Sequence, residues 1–391
     1  MVQNWLTAPS EANALTALFR VLKGNDPGVS ITNAAEDQSA VAEQELATQM
    51  MQGNPPDSFQ VVSGSSLDSW VEREALEPLD SLSASQGWSS VIPVPVLDSV
   101  SSGGSLYGVP LDIERDNTLF FNKQVFAMYG LAPPTGIGDF LTVAAELDAK
   151  GLTPFAVSAY EGWTIASTVF EAVLVAQAGP AFYQAYLTGK ESPDNPQIRA
   201  ALHTVSSMMG YANTDRMSAL WTDAVADVCS GKAGMLVMPD FAKGQLATNG
   251  CGPTEVGYVP MQPPGTPSFV FVSITFELPN GAPDPDSAIQ FLEAVGSKAG
   301  QEAFNPIKGS IPARTDVDPS LFDELSAKTL ADFTAAGEVL VPGYAALTAP
   351  NFQTPINSAL QDFVDPTSSA FDDVDQAVFV LSQNYGIINQ L

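Results

Sequence analysis

Three short apolar segments open the chain: VQNWLTA (2–8), GVSITNAA (28–35) and DSFQVVSG (57–64). Between them lie two stretches of helical character, SEANALTALFRVLKG (10–24) and residues 37–53. Strands separated by helix-length segments define an α/β unit, and in such units small molecules favour the turns at the strand ends. Trp5 sits at the first of these turns, just before Pro9 breaks the strand. Ser63-Gly64 closes the third strand on the same rim. A tryptophan there either covers the edge of a core or offers a flat surface to a ligand.

At 391 residues the chain exceeds one ordinary core and predicts two domains. Its 44 acidic residues against 15 basic ones give a formal net charge of −29. Such a surface repels phosphate backbones and anionic lipid heads, which argues against nucleic-acid and membrane-surface partners. No apolar run approaches the roughly 18 residues needed to span a bilayer. No basic segment leads into an apolar one, so any signal peptide is expected to have been removed before the strand-like start. Cys229 and Cys251 lie outside any CxxC pair and have no histidine nearby, which disfavours zinc. Export would favour a disulfide between them; two buried thiols are the alternative.

Further along, GSLYGVPLDIERDNTLFFNKQVF (104–126) reads as two extended segments around a charged middle, with a helix starting near Asn122. Residues 137–150, 164–188 and 196–212 have helical periodicity. CSGKAGMLVMPDFAKGQL (229–246) reads as helix end, buried strand and helix, and VPMQPPGTPSF (259–269) as a linker. FVFVSITFELP is strand-like and APDPDSAIQFLEAVGSK helical. Residues 318–336, 351–364 and 370–385 complete the helices.

Catalytic patterns are sparse. His203, the single histidine, lies inside the helical IRAALHTVSSMM and suits a surface or packing role. SGKAG is a helix end and lacks the rest of a phosphate loop. Asp112 and Glu114 fall two apart, so an extended segment would carry both on one face, about 5–7 Å apart. That spacing fits a retaining glycosidase pair, and it fits any acidic i, i+2 pair on a strand equally well. No cofactor is expected.

Four segments in register carry a family resemblance across nearly the whole chain. GVPLDIERDNTLFFNKQVFAMYGL (108–131) resembles the crossover of extracytoplasmic sugar-binding proteins of ABC transporters. SGKAGMLVMPDF (230–241), KGSIPARTDV (308–317) and GNPPDSFQV (53–61) are similar to recurrent segments of that family, the last to its glucose-binding branch. The resemblance implies an α/β, two-lobed periplasmic-binding-protein-like (type II) fold whose chain crosses between lobes about three times. Lobe one would comprise 1–112 plus 268–312, and lobe two 113–267 plus 313–391. It also implies an extracytoplasmic protein, periplasmic or lipid-anchored at the cell surface. Such a protein acts as a monomer that captures a small carbohydrate and delivers it to a membrane ABC permease. A glycoside-processing enzyme using Asp112 and Glu114, or a sugar sensor without transport, are the rival functions.

Sugar rings present apolar faces that stack on aromatics and hydroxyls that need polar partners at the ring edge. By resemblance, the ligand-binding set is Trp5, Glu11, Gln60, Asp112, Glu114, Arg115, Asn117, Trp163, Trp221, Phe241, Lys308 and Tyr344. Trp163 and Phe241 suit a core equally well, and Trp70 and Trp88 read as packing residues. The chain departs from the glucose-binding branch around the ring. Leu6 replaces a second tryptophan, Val62 a histidine, Gly103 a lysine, Ile274 an acid and Tyr344 a histidine, and NIHR becomes DIER. The frame is kept and the polar fan is changed, which implies that free D-glucose is a poor ligand.

Overall fold

The computed structural model describes residues 1–335 and 337–385. The chain divides into two compact α/β units. Unit 1 is Met1–Glu114 with Val272–Ala327, and unit 2 is Arg115–Phe271 with Lys328–Leu391. The backbone therefore passes from one unit to the other three times, after Glu114, after Phe271 and after Ala327.

Unit 1 begins with β1 (Val2–Asn4), α1 (Pro9–Asn25), β2 (Asn33–Ala35), α2 (Ser39–Met51) and β3 (Ser58–Val62). The three strands pair in parallel in the order β2-β1-β3. Strands Ile274–Glu277 and Gly108–Pro110 extend the sheet antiparallel beyond β3. Pairing in the second apolar segment is confined to Asn33–Ala35 of the expected 28–35, because it forms the exposed edge where strands run short. α1 buries Ala14, Leu15, Leu18 and Leu22, a single helical stripe. Trp88 is fully buried, and a Cβ at Gly296 would collide with its ring, so the glycine leaves room for it. Trp70 packs edge-on to Phe59, with ring centres 5.7 Å apart.

In unit 2 a four-stranded sheet runs in the order Val256–Pro260, Thr118–Asn122, Ala233–Val237, Thr153–Ala156. Its first three strands pair antiparallel and the last is parallel to its neighbour. Asn122 ends one strand and caps the next helix: its Oδ1 accepts from Val125 N at 2.9 Å, while its Nδ2 donates to Val228 O at 2.8 Å. Cys229 and Cys251 are joined by a disulfide, with Cα atoms 5.8 Å apart. The bond ties the end of helix Trp221–Cys229 to the turn after helix Ala242–Thr248.

The stretch 164–188 is not one continuous helix. A π-helical turn over Ile165–Phe170 runs into helix Glu171–Ala178. Gly179, at φ 84°, then ends it, and Pro180 starts another helix to Leu187. Glycine tolerates that left-handed backbone and proline suits a first helical position, so the break is written in the dipeptide. The expected 259–269 linker is likewise shorter, since strands occupy Val256–Pro260 and Ser268–Val272.

Candidate functional site

In unit 1 the loop from β1 to α1 holds Trp5 in place by satisfying every backbone N–H it carries. Trp5 N donates to Gln60 Oε1 (3.2 Å), Leu6 N to Asn4 Oδ1 (3.1 Å) and Thr7 N to Trp5 O (3.0 Å). Ala8 N donates to Glu11 Oε2 at 3.2 Å, closing the first turn of α1. A loop with no unpaired donor has little reason to rearrange. Leu6 is buried beneath it and the Trp5 ring is half-buried.

Lys308 ends the helix Lys298–Lys308 and is almost fully buried. Its Nζ lies 2.7 Å from Glu114 and 3.3 Å from Glu11. Burial pulls the ammonium pKa down, but the nearby Glu114, Glu11 and Asp112 charges outweigh it and hold it above the ordinary lysine value. The helix reaches this place through two residues that the sequence reading passed over. Gln301 Nε2 donates to Pro110 O at 2.9 Å, and Asn305 Nδ2 to Leu111 O at 3.1 Å. Gln301, Asn305 and Lys308 stand at i, i+4 and i+7, one face of a helix, and that spacing of buried polar residues was the available signal. Asp112 Oδ1 accepts from Ile274 N at 2.9 Å, and its backbone carbonyl accepts from the Ser273 hydroxyl. Both members of the acidic pair are thus bonded into the protein's own frame.

Unit 2 assembles the aromatic candidates. Phe241 lies between the two tryptophans, its ring centre 5.2 Å from Trp221 at a near-perpendicular 86° and 6.5 Å from Trp163. Trp221 and Phe241 are buried, whereas Trp163 is half-buried. Glu161, which the sequence reading also missed, accepts from Trp221 N at 2.8 Å and holds the start of that helix. Its position two residues before Trp163 gives no distinctive pattern.

Tyr344 is buried, with its N–H donating to Glu171 Oε1 at 2.9 Å and its hydroxyl to Asn357 Oδ1 at 3.2 Å. Tyr183 donates its hydroxyl to the same Glu171 oxygen. Burial pushes the Glu171 carboxyl up to about 8 despite these two donors, so it is largely protonated at neutral pH.

Arg115 is fully buried and every arm of its guanidinium is engaged. Nε donates to Asn117 Oδ1 (3.2 Å), Nη1 to Asp332 (2.9 Å) and Nη2 to Ser268 O (2.8 Å). Its Cζ lies over the Phe269 ring, 4.6 Å from the ring centre. Asn117 Nδ2 donates to Met261 O and Ser268 O, both at 2.9 Å, and its Oδ1 accepts from Val270 N. Six of the twelve candidates therefore fall in unit 1 and six in unit 2, each set assembled by bonds within its own unit.

The sequence profile of bacterial extracellular solute-binding proteins matches residues 8–302, and the chain belongs to that family. It is 31% identical over 349 residues to an uncharacterized ABC transporter extracellular-binding protein of Pyrococcus horikoshii, covering 88% of this chain and 78% of that one. It is 32% identical over 341 residues to a probable sugar-binding periplasmic protein of Brucella melitensis, covering 86% and 79%. Among solved structures, a bacterial solute receptor described as having an exclusive preference for β-D-galactopyranose superposes with a TM-score of 0.86 at 17% identity. That match covers 100% of this chain and 98% of the receptor.

Proposed function

We propose that this solute-binding protein captures a small carbohydrate, namely a modified monosaccharide, a glycoside or a short oligosaccharide. It acts outside the cytoplasm as a monomer, passes the sugar to an ABC permease, performs no chemistry and has no nucleic-acid partner. The observation that carries the reading is Trp5: a half-exposed indole on a loop whose N–H groups are all satisfied, flanked by Gln60 and by Glu11 of the buried Lys308 cluster. A fixed apolar plate with polar groups at its edge is what a pyranose face needs. The sugar-binding description of the Brucella relative supports it.

Each unit carries its own candidate residues. Arg115 and Asn117, whose polar atoms are spent on strand carbonyls and carboxylates, serve in this reading to position the site. Trp163 is the half-exposed plate of unit 2, with Phe241 and Trp221 behind it. Free D-glucose is a poor ligand, because Val62, Gly103, Ile274 and Tyr344 stand where the glucose-binding branch carries polar partners for hydroxyls. An unpartnered buried hydroxyl costs about 1–3 kcal/mol. A thermal-shift screen of D-glucose, D-galactose, D-xylose, methyl β-D-glucoside, maltose and raffinose tests both statements. A stabilising sugar other than D-glucose is expected; a dominant response to D-glucose overturns the specificity, and no response overturns the carbohydrate reading. Turnover of a chromogenic glycoside would reinstate an enzyme built on Asp112 and Glu114.

A further inference from the structure

Glu277 ends an interior strand of the unit 1 sheet, Ile274–Glu277, and is fully buried. The strand runs antiparallel to β3 on one side and to Gly108–Pro110 on the other, which sets Glu277 opposite Phe59 and Gly108. Phe276 turns to the other face, where its ring packs edge-on to Phe291 with centres 5.0 Å apart. On the Glu277 face, a Cβ at Gly108 would come within 2.8 Å of both Glu277 Oε1 and Leu67 Cδ1. The glycine of the GVP segment thus leaves room for the carboxyl.

The Thr275 hydroxyl is hydrogen-bonded to Glu277 Oε1 and also lies 3.3 Å from Val61 O. Glu277 Oε2 has no hydrogen-bond partner among the described residues, and no cation pairs with the carboxyl there. β3 and Gly108–Pro110 bring no titratable side chain to it. The helix over this face, Ser65–Val71, brings Asp68, whose carboxyl bonds Ser102; the exposed Glu72 and Arg73 follow, with Arg73 over the Trp70 ring. A threonine hydroxyl has one proton to give. If it goes to Val61 O, Glu277 Oε1 must bring a proton of its own and donate to Thr275 Oγ1. An ionised carboxyl instead draws the hydroxyl away from Val61 O and leaves a charged oxygen buried without a partner, which is the costlier state. Burial accordingly raises the Glu277 carboxyl well above its ordinary value, and the Thr275 bond opposes this only in part.

We propose that Glu277 is a proton latch in unit 1: its protonated carboxyl donates to Thr275 Oγ1, Thr275 donates on to Val61 O, and loss of the carboxyl proton in alkaline medium loosens strand Ile274–Glu277 from β3. The folded chain keeps this proton at a pH where the unfolded chain, ionising near the ordinary 4.5, has lost it. The latch's stabilisation is therefore complete below about 4.5 and falls as pH climbs towards the folded value. Over that range one proton separates the two states, so the folding constant loses about tenfold per pH unit. The other end of the same strand is Ile274, whose N–H holds Asp112. The segment that fixes Asp112 is thus tightened by acid and loosened by alkali, whatever solute the protein binds.

The test is urea unfolding of the whole protein at intervals from pH 5 to pH 8, beside infrared spectra in heavy water. Glu277→Gln offers Thr275 an N–H in place of the O–H and cannot ionise. The unaltered protein is expected to lose about tenfold more of its folding constant per pH unit than this variant. Glu277→Leu needs no partner and should share the shallower slope, which keeps the comparison readable if the glutamine variant does not fold. The unaltered protein at pH 7 should show the carbonyl absorption of protonated carboxyl groups, and each folded variant should lack part of it. Equal slopes in the unaltered protein and a folded variant overturn the latch. So does protonated-carboxyl absorption that is absent from the unaltered protein at pH 7, or that a folded variant leaves undiminished.

Discussion

Lys308 and Glu114 are separated by 194 residues in sequence and by 2.7 Å in space. The pairing exists because Gln301 and Asn305 dock the helix on the carbonyls of Pro110 and Leu111, and because Ile311–Pro312 pairs antiparallel with the strand that carries Glu114. The buried cation is thus fixed by backbone contacts on both sides of it. Glu11, in the first turn of α1, completes the cluster.

Removing that cation leaves carboxylates facing one another in a buried place. Lys308→Met is expected to destabilise unit 1 by about 3–5 kcal/mol, the usual consequence of breaking a buried pair on one side. Urea unfolding at pH 7 reads the change. The sign with pH follows from the raised lysine value: the stabilisation is complete below the unfolded lysine pKa of about 10.4 and is lost only as pH climbs through the higher folded value. Between pH 6 and 9 the lysine's own titration should therefore contribute no pH dependence to the unaltered protein.

Glu171 behaves in the opposite sense. Its folded pKa of about 8 lies above the ordinary 4.5, so the unfolded chain ionises first and stability falls as pH rises from about 4.5 to about 8. Glu171→Gln keeps an oxygen for Tyr183 and Tyr344 N–H and removes the ionisation. Urea midpoints measured across that window should decline less steeply in the variant than in the unaltered protein. Parallel declines would show that Glu171 is not protonated in the fold.

Trp5→Ala should weaken sugar binding by about 2 kcal/mol or more, as the loss of a central aromatic anchor does. Because the indole is partly buried, its truncation is expected to lower the unfolding midpoint as well. Calorimetry against the sugar that stabilises most in the screen checks the first expectation, and a melt without sugar the second.

The Cys229–Cys251 bond closes a segment 22 residues long, and a crosslink of that span stabilises by roughly 3 kcal/mol through the unfolded chain. Denatured, unreduced protein should titrate with no free thiol. The double variant Cys229→Ser, Cys251→Ser should lower the urea midpoint by the corresponding amount.

Local signals carried the start of the fold. The β1–α1 turn was readable because Pro9 breaks the first apolar segment ahead of a helical stretch, and the helix start near Asn122 because helical spacing follows the extended segments there. Long-range placement was not readable. Nothing in the spacing of Glu114 and Lys308 announces that they meet, and the role of Arg115 depends on Asp332 and Ser268, far away in the chain. The π-turn before Glu171 has no compositional mark either: Ile165–Phe170 reads as ordinary buried helix.

The way Trp5 is held bears on how a protein like this acquires new tastes. The side chains that aim the indole are Asn4, Glu11 and Gln60, and each bonds to the backbone of the loop itself. Positions 62, 103, 274 and 344 take no part in those bonds. Changes there leave the bonds that aim the indole in place. Among them the exposed position 103 can vary at low structural risk, whereas Ile274 and Tyr344 are buried and a change at Gln60 would loosen the Trp5 loop itself.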